Sequence, residues 1–121
     1  MRLLTWNCQG GFRKKAGLIA AFKPDLAVIQ ECEHPDKLLW KDVPRPASLT
    51  WFATQTAKGL GVFSWTDTVF APMDVFDPSI EICAPLQIQA PVPFQLLAIW
   101  SKSHRRSSLS YSAQVYQALS V

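Results

Sequence analysis

Charge is scarce in this sequence: 17% of its 121 residues are charged, against 49% hydrophobic. That balance excludes an intrinsically disordered chain, which needs low hydrophobicity and high net charge. It is also apolar for a small domain, which exposes proportionally more surface. Either the surface is unusually apolar, or part of it belongs against something else. The three cysteines, Cys8, Cys32 and Cys83, form no CxxC pair and cannot all pair within one chain. Cys32-Glu33-His34 offers too few ligands for a zinc site, which takes about four. Three reduced, buried thiols of a cytosolic protein are expected instead. No apolar run approaches the ~20 residues of a membrane span. The opening Met1-Arg2-Leu3-Leu4-Thr5-Trp6-Asn7 turns polar too early for a signal peptide. Internal repeats and low-complexity segments are also lacking. The expectation is a soluble, cytoplasmic chain with one core and no membrane partner. Its net charge of +3 suits a polyanionic ligand without requiring one.

What is present alternates strand and helix. Arg2 to Asn7 reads as a short apolar strand, broken by Gly10-Gly11. Ala16, Ile19, Ala20 and Phe22 follow helical spacing, predicting a helix over 13–22 that ends at Lys23-Pro24. Asp25 to Glu31, apolar on both faces in its middle, reads as a covered strand. Strand, helix and strand within some thirty residues make a βαβ unit with parallel strands. Asn7 and Glu31 then lie at the C-terminal ends of those strands, on one sheet edge. Further strands are expected at 48–54, 60–65, 69–71, 81–89 and 94–100, the last two joined like a hairpin. Residues 34–47 are a longer loop or short helix. A helix with Tyr111, Val115, Ala118 and Leu119 on one face closes the sequence.

The chemistry is expected at Asn7 and Glu31. A carboxylate after four apolar strand residues is costly to bury unless paired or metal-bound. At a strand's C-terminal end it points into the crevice where α/β sheets bind ligands. Magnesium is usually held by one or two carboxylates, with water and substrate phosphate completing its shell, so one glutamate is enough to begin such a site. Asn7 has the groups to orient a phosphate oxygen or a carboxylate. The bland alternative for each is a polar residue at a loop edge.

Taken together, Leu4-Thr5-Trp6-Asn7, the helix, and Pro24-Asp25-Leu26-Ala27-Val28-Ile29-Gln30-Glu31 resemble the opening of the endonuclease/exonuclease/phosphatase superfamily. Lys58-Gly59-Leu60-Gly61-Val62-Phe63-Ser64 is similar to that family's later glycine-containing strand, and Phe94 to Trp100 to its next core strand. Tyr111 to Leu119 resembles the helix before its Gly-Asp-Phe-Asn motif. The resemblance implies an α/β fold, the N-terminal half of a four-layer αββα sandwich with a mixed β-sheet and a βαβ start. Residues 1–121 would be a partial domain ending before Gly-Asp-Phe-Asn. The implied activity is phosphoester hydrolysis with Mg²⁺, or Mn²⁺ in its place. Glu31 would be the metal ligand, and Asn7 would position phosphate or catalytic groups. The Asp-Asn pair and the terminal Asp and His of the family are not in this sequence, so the chain alone is expected to be inactive.

Other candidates are weaker. Lys102, His104, Arg105 and Arg106 follow the last strand and would contact phosphates if their loop reaches the same edge. His34 is a solvated loop residue on this reading. Arg13, Lys14 and Lys15 oppose the helix dipole, which a phosphate neighbour or simple exposure would explain. Trp40, Trp51, Trp65 and Trp100 are more readily core residues than base-stacking platforms. The expected partners are a phosphoester substrate, with nucleic acid among the candidates, and either a missing C-terminal half or a second copy held through an exposed sheet face. The rival readings are a non-catalytic phosphate- or nucleic-acid-binding module and a truncated product without activity.

Overall fold

The computed structural model describes residues 1–41, 43–53, 57–67, 69–73, 83–89 and 92–100. Strand β1 (Leu3–Asn7) leads into two single helical turns, α1 (Phe12–Lys15) and α2 (Gly17–Ala20), and then β2 (Leu26–Glu33). A 3-10 turn at Pro35–Lys37 precedes β3 (Ser48–Phe52) and β4 (Lys58–Ser64); β5 (Val69–Pro72), β6 (Cys83–Gln89) and β7 (Phe94–Ile99) follow. One sheet has the order β1-β2-β4-β3 and the other β5-β6-β7. β1 and β2 are parallel, Leu3 opposite Leu26 and Asn7 opposite Gln30, while every other pairing is antiparallel. The fold is therefore the mixed α/β arrangement that the sequence leads one to expect, with the βαβ start in place.

β2 shows why its apolar run is continuous. Ala27 and Ile29 face the helical turns, in a core with Cys8, Phe12, Ala16, Ile19, Cys32 and Phe63. Leu26 and Val28 face the other way, in a core with Leu60, Val62, Ala84, Leu86, Ile88, Ala98 and Trp100. Because strand side chains alternate faces, a strand covered on both sides needs apolar residues at every position. β4 repeats the pattern, with Leu60 and Val62 towards the second sheet and Phe63 towards the helical turns. The ring of Phe63 lies along its own strand, so a Cβ on Gly61 would come within 2.7 Å of it. Glycine is required there for packing, not for conformation.

Three expectations are corrected. The predicted continuous helix is two short turns hinged at Ala16, and it closes with 3-10 bonds from Phe22 N–H to the Ile19 carbonyl and from Lys23 N–H to the Ala20 carbonyl. Phe22 is not on the buried face but 64% exposed, because the chain tightens after Ile19 and turns it outward. The exposed sheet face, on which Leu, Ile, Val and Phe of strands 60–65, 81–89 and 94–100 would lie open, is largely covered among the described residues. Leu60, Val62, Leu86 and Ile88 are fully buried because the two sheets face each other, and Phe63 is fully buried under the helical turns; Leu97, on the outer face, is 39% exposed. Residues 81, 82 and 101–121 lie outside the described residues, and with them the expected C-terminal helix and the start of the sixth strand. Among the described residues no helix is long and apolar enough to cross a membrane.

The tryptophans are structural, as the sequence favoured. Trp40 meets Phe12, Phe63 and Trp65 edge-on. Trp51 donates its indole N–H to the Cys32 carbonyl at 3.0 Å, Trp65 donates to the Pro44 carbonyl at 2.7 Å, and Trp100 is buried between the sheets. All three cysteines are free and buried. Burial pushes the thiol pKa of each upward, most strongly at Cys32, where the nearby Cys8 and Glu33 add to the effect.

Phe63→Ala is expected to cost about 3–5 kcal/mol, read as a lower urea midpoint at unchanged slope. The thiols should react with a disulfide reagent only on unfolding. A thiol whose pKa is raised by folding stabilises the fold below its unfolded value. That contribution is lost as pH rises above about 8.5, so unfolding free energy measured across pH 8 to 10 should fall.

Candidate functional site

β2 does not end regularly. Its register with β4 slips between Ile29 and Cys32, a β-bulge, and Glu31 in that slip has φ 59°. The left-handed region is uncommon for a residue with a side chain and costs roughly 1–2 kcal/mol. Strain of that kind gathers at functional sites. Beside it, Gln9, Gly10 and Gly11 continue from β1 with φ of 58°, 80° and 67°. Two bonds from Cys8 tie this loop to the bulge: its N–H donates to the Gln30 carbonyl at 3.1 Å, and its thiol donates to the Glu31 carbonyl at 3.4 Å.

The parallel pairing brings Asn7 and Glu31 together. Asn7 Nδ2 donates to Glu31 Oε1 at 3.1 Å, while Asn7 Oδ1 accepts the Gln9 N–H at 3.0 Å. The second bond fixes which way the amide points, so its N–H₂ is committed to the carboxylate. The other carboxylate oxygen, Oε2, lies 3.6 Å from Lys58 Nζ. Gln30 Nε2 bridges the Thr5 hydroxyl and the Ile99 carbonyl, both at 3.0 Å. The end of β7 is thereby held against the ends of β1 and β2. The edge presents one strained carboxylate, one oriented amide and one ammonium. Of the three, the carboxylate alone is a ligand that a hard cation takes, with water oxygens beside it; the ammonium is a competing positive charge.

Glu33 plays a different part. It is buried, and its carboxylate accepts the Arg13 N–H at 2.5 Å and pairs with the Arg13 guanidinium at 3.1 Å. Lys15 donates to the Cys8 carbonyl at 2.6 Å. Two of the three basic residues at the helix start are thus engaged within the chain, and a phosphate neighbour is not needed to account for them. His34 is an exposed loop residue, edge-on to Trp51 at 4.9 Å, with Asp36 Oδ2 3.5 Å from its Nδ1. Nδ1 also accepts the Asp36 N–H at 3.1 Å, which places the proton of the neutral ring on Nε2. Among the described residues no three His, Cys, Asp or Glu side chains cluster as metal ligands. Lys102, His104, Arg105 and Arg106 lie outside the described residues, although the strand leading to them ends at this edge.

Sequence reasoning missed Lys58 as a neighbour of Glu31, because the run Lys58 to Ser64 reads as a strand without showing which strand it pairs with. β4 begins at Lys58 and runs antiparallel to β2, with Lys58 opposite Glu33. The start of β4 therefore meets the end of β2. Only the pairing reveals this.

Glu31→Gly should be about 1 kcal/mol more stable than Glu31→Ala. Both delete the carboxylate, and only alanine keeps the strain of a left-handed Cβ. Thermal unfolding of the two variants checks this; equal stability would mean that the bulge relaxes at no cost.

No family model matches the chain, and no curated protein matches it. Among solved structures it is similar to the endonuclease domain of TRAS1, a telomere-specific non-LTR retrotransposon, with a TM-score of 0.61 at 18% identity. The match covers 96% of this chain and 52% of that one, so this chain spans about half the length of that domain. What the likeness establishes is the architecture: the chain has the mixed α/β fold of that domain over the half that it spans.

Proposed function

We propose that this chain is the N-terminal part of a metal-dependent phosphoester hydrolase domain, with Glu31 the metal-holding carboxylate and Asn7 its orienting partner. The observation that carries the reading is the 3.1 Å contact between them at the ends of two parallel strands, made by a glutamate held in a strained conformation. The solved endonuclease domain of similar architecture supports the reaction class. A divalent cation, Mg²⁺ or Mn²⁺, would supply Lewis-acid polarisation of a phosphoryl oxygen. Glu31 would hold it through one carboxylate, leaving most of the coordination shell to water and substrate. Asn7 keeps the carboxylate turned outward by donating to Oε1 while its own carbonyl is tied to Gln9. Lys102, His104, Arg105 and Arg106 are proposed to add phosphate contacts, nucleic acid being the favoured substrate of a basic chain.

The chain alone is proposed to be inactive. Hydrolysis needs a water made nucleophilic by a base near neutral pH. His34 does not qualify, because its basic nitrogen is occupied by the Asp36 N–H. A complementary half, or a second copy of the chain, would have to bring the base and the remaining ligands.

In a calorimetric titration the chain should bind Mn²⁺ weakly. Glu31→Gln keeps an acceptor for Asn7 but loses the charge, so it should abolish binding with an unchanged circular dichroism spectrum. A tight stoichiometric site in the wild type would show ligands beyond Glu31. A generic phosphodiester should survive incubation with the pure chain and Mg²⁺; magnesium-dependent turnover would place a base within these 121 residues.

A further inference from the structure

We propose that Lys58 is the resident counter-cation of Glu31 and sets how tightly a divalent ion binds there. The inference rests on reading Glu31 as the metal-holding carboxylate. The two oxygens of that carboxylate are not equivalent. Oε1 takes a neutral donor, Asn7 Nδ2, at 3.1 Å, and Oε2 faces the Lys58 ammonium at 3.6 Å. A dication approaching Oε2 must displace the ammonium or bind beside a like charge. The placement of Lys58 is built into the fold. It is the first residue of β4, brought to the end of β2 by their antiparallel pairing. Its stem also lies against the left-handed loop after β1: a Cβ on Gly10 would stand 3.0 Å from Lys58 Cε and 3.3 Å from Nζ. Gly10 thus leaves the space the lysine occupies, and with φ 80° it has two reasons to be glycine.

Chemistry explains the choice of lysine. An ammonium is a compact, strongly hydrated point charge on a flexible stem, whereas a guanidinium would grip both carboxylate oxygens in a fork. Lysine can neutralise Glu31 when no ion is bound and leave when one arrives. The other carboxylate at this end of β2, Glu33, is held by an arginine and is buried. One pair is locked and the other is half in solvent, with Lys58 50% and Glu31 26% exposed.

Mn²⁺ titration, followed by calorimetry and by the electron paramagnetic resonance signal of the free ion, tests the proposal on wild type, Lys58→Met, Lys58→Gln and Glu31→Gln. Circular dichroism establishes that each is folded. Removing the competing charge should tighten Mn²⁺ binding about fivefold at low salt, the scale of one partly solvated charge pair, and less at high salt. Glu31→Gln, alone or combined with Lys58→Met, should not bind. Unchanged or weaker affinity in the folded Lys58 variants, with binding still lost in Glu31→Gln, would overturn the role of Lys58 and leave the metal reading standing. No Mn²⁺ binding in any variant would overturn both. Should Lys58→Met fail to fold, Lys58→Gln, which keeps a polar end on the stem, decides the question.

Discussion

Strand β2 is covered on both faces, and the rest of the molecule is arranged around that fact. Four consecutive apolar residues, Leu26 to Ile29, alternate between a core under the helical turns and a core against the second sheet. Shifting the strand by one residue would exchange the two sets, so its register is held from both sides. The fixed register delivers Gln30 and Glu31 to the sheet edge at the point where packing gives way to solvent. The bulge then turns Glu31 at some conformational cost, with Cys8 tying the neighbouring loop to it. A polar edge held this firmly against an apolar core is the arrangement that lets one carboxylate keep a defined orientation.

The electrostatics of that edge divide by burial. Glu33 is buried and must be satisfied within the chain, since an unpaired buried carboxylate is costly. Arg13 and its own backbone N–H satisfy it, and the same contacts place a negative charge near the start of the helical turns, where the dipole favours one. Glu31 is partly solvated, its partners are an amide and a flexible ammonium, and its charge remains available. Two glutamates two residues apart thus differ, one buried and paired with an arginine and one partly solvated, because the bulge puts them in different environments. The scarcity of charge in the sequence sharpens the contrast, since nearly every charge described at this edge has a partner.

The second sheet is the reason the apolar composition does not produce a broadly open face. β6 and β7 turn Leu86, Ile88, Ala98 and Trp100 onto Leu60 and Val62, so burial that looked unavailable to half of a sandwich is found between the two sheets. The outer face of the second sheet mixes exposed Gln95 and Leu97 with half-buried Pro85, Gln87 and Ile99, which is a less apolar surface than composition suggested.

The strand–helix–strand order, the parallel pairing and the meeting of Asn7 with Glu31 were legible in the sequence, because each rests on local patterning: apolar runs, Gly10-Gly11, Lys23-Pro24 and the position of polar residues just after them. The single long helix was misread, because spacing alone does not reveal that the crossover tightens at Ala16 and after Ile19 and turns Phe22 to solvent. Lys58 and the Arg13–Glu33 pair were not legible at all. They are contacts between residues 20 to 27 positions apart, created by which strand pairs with which and by a one-residue slip in β2. Local sequence determined the elements and the two residues at their ends. Only the tertiary structure decided which charges those residues meet, because pairing, register and the bulge depend on how both faces of β2 are buried at once.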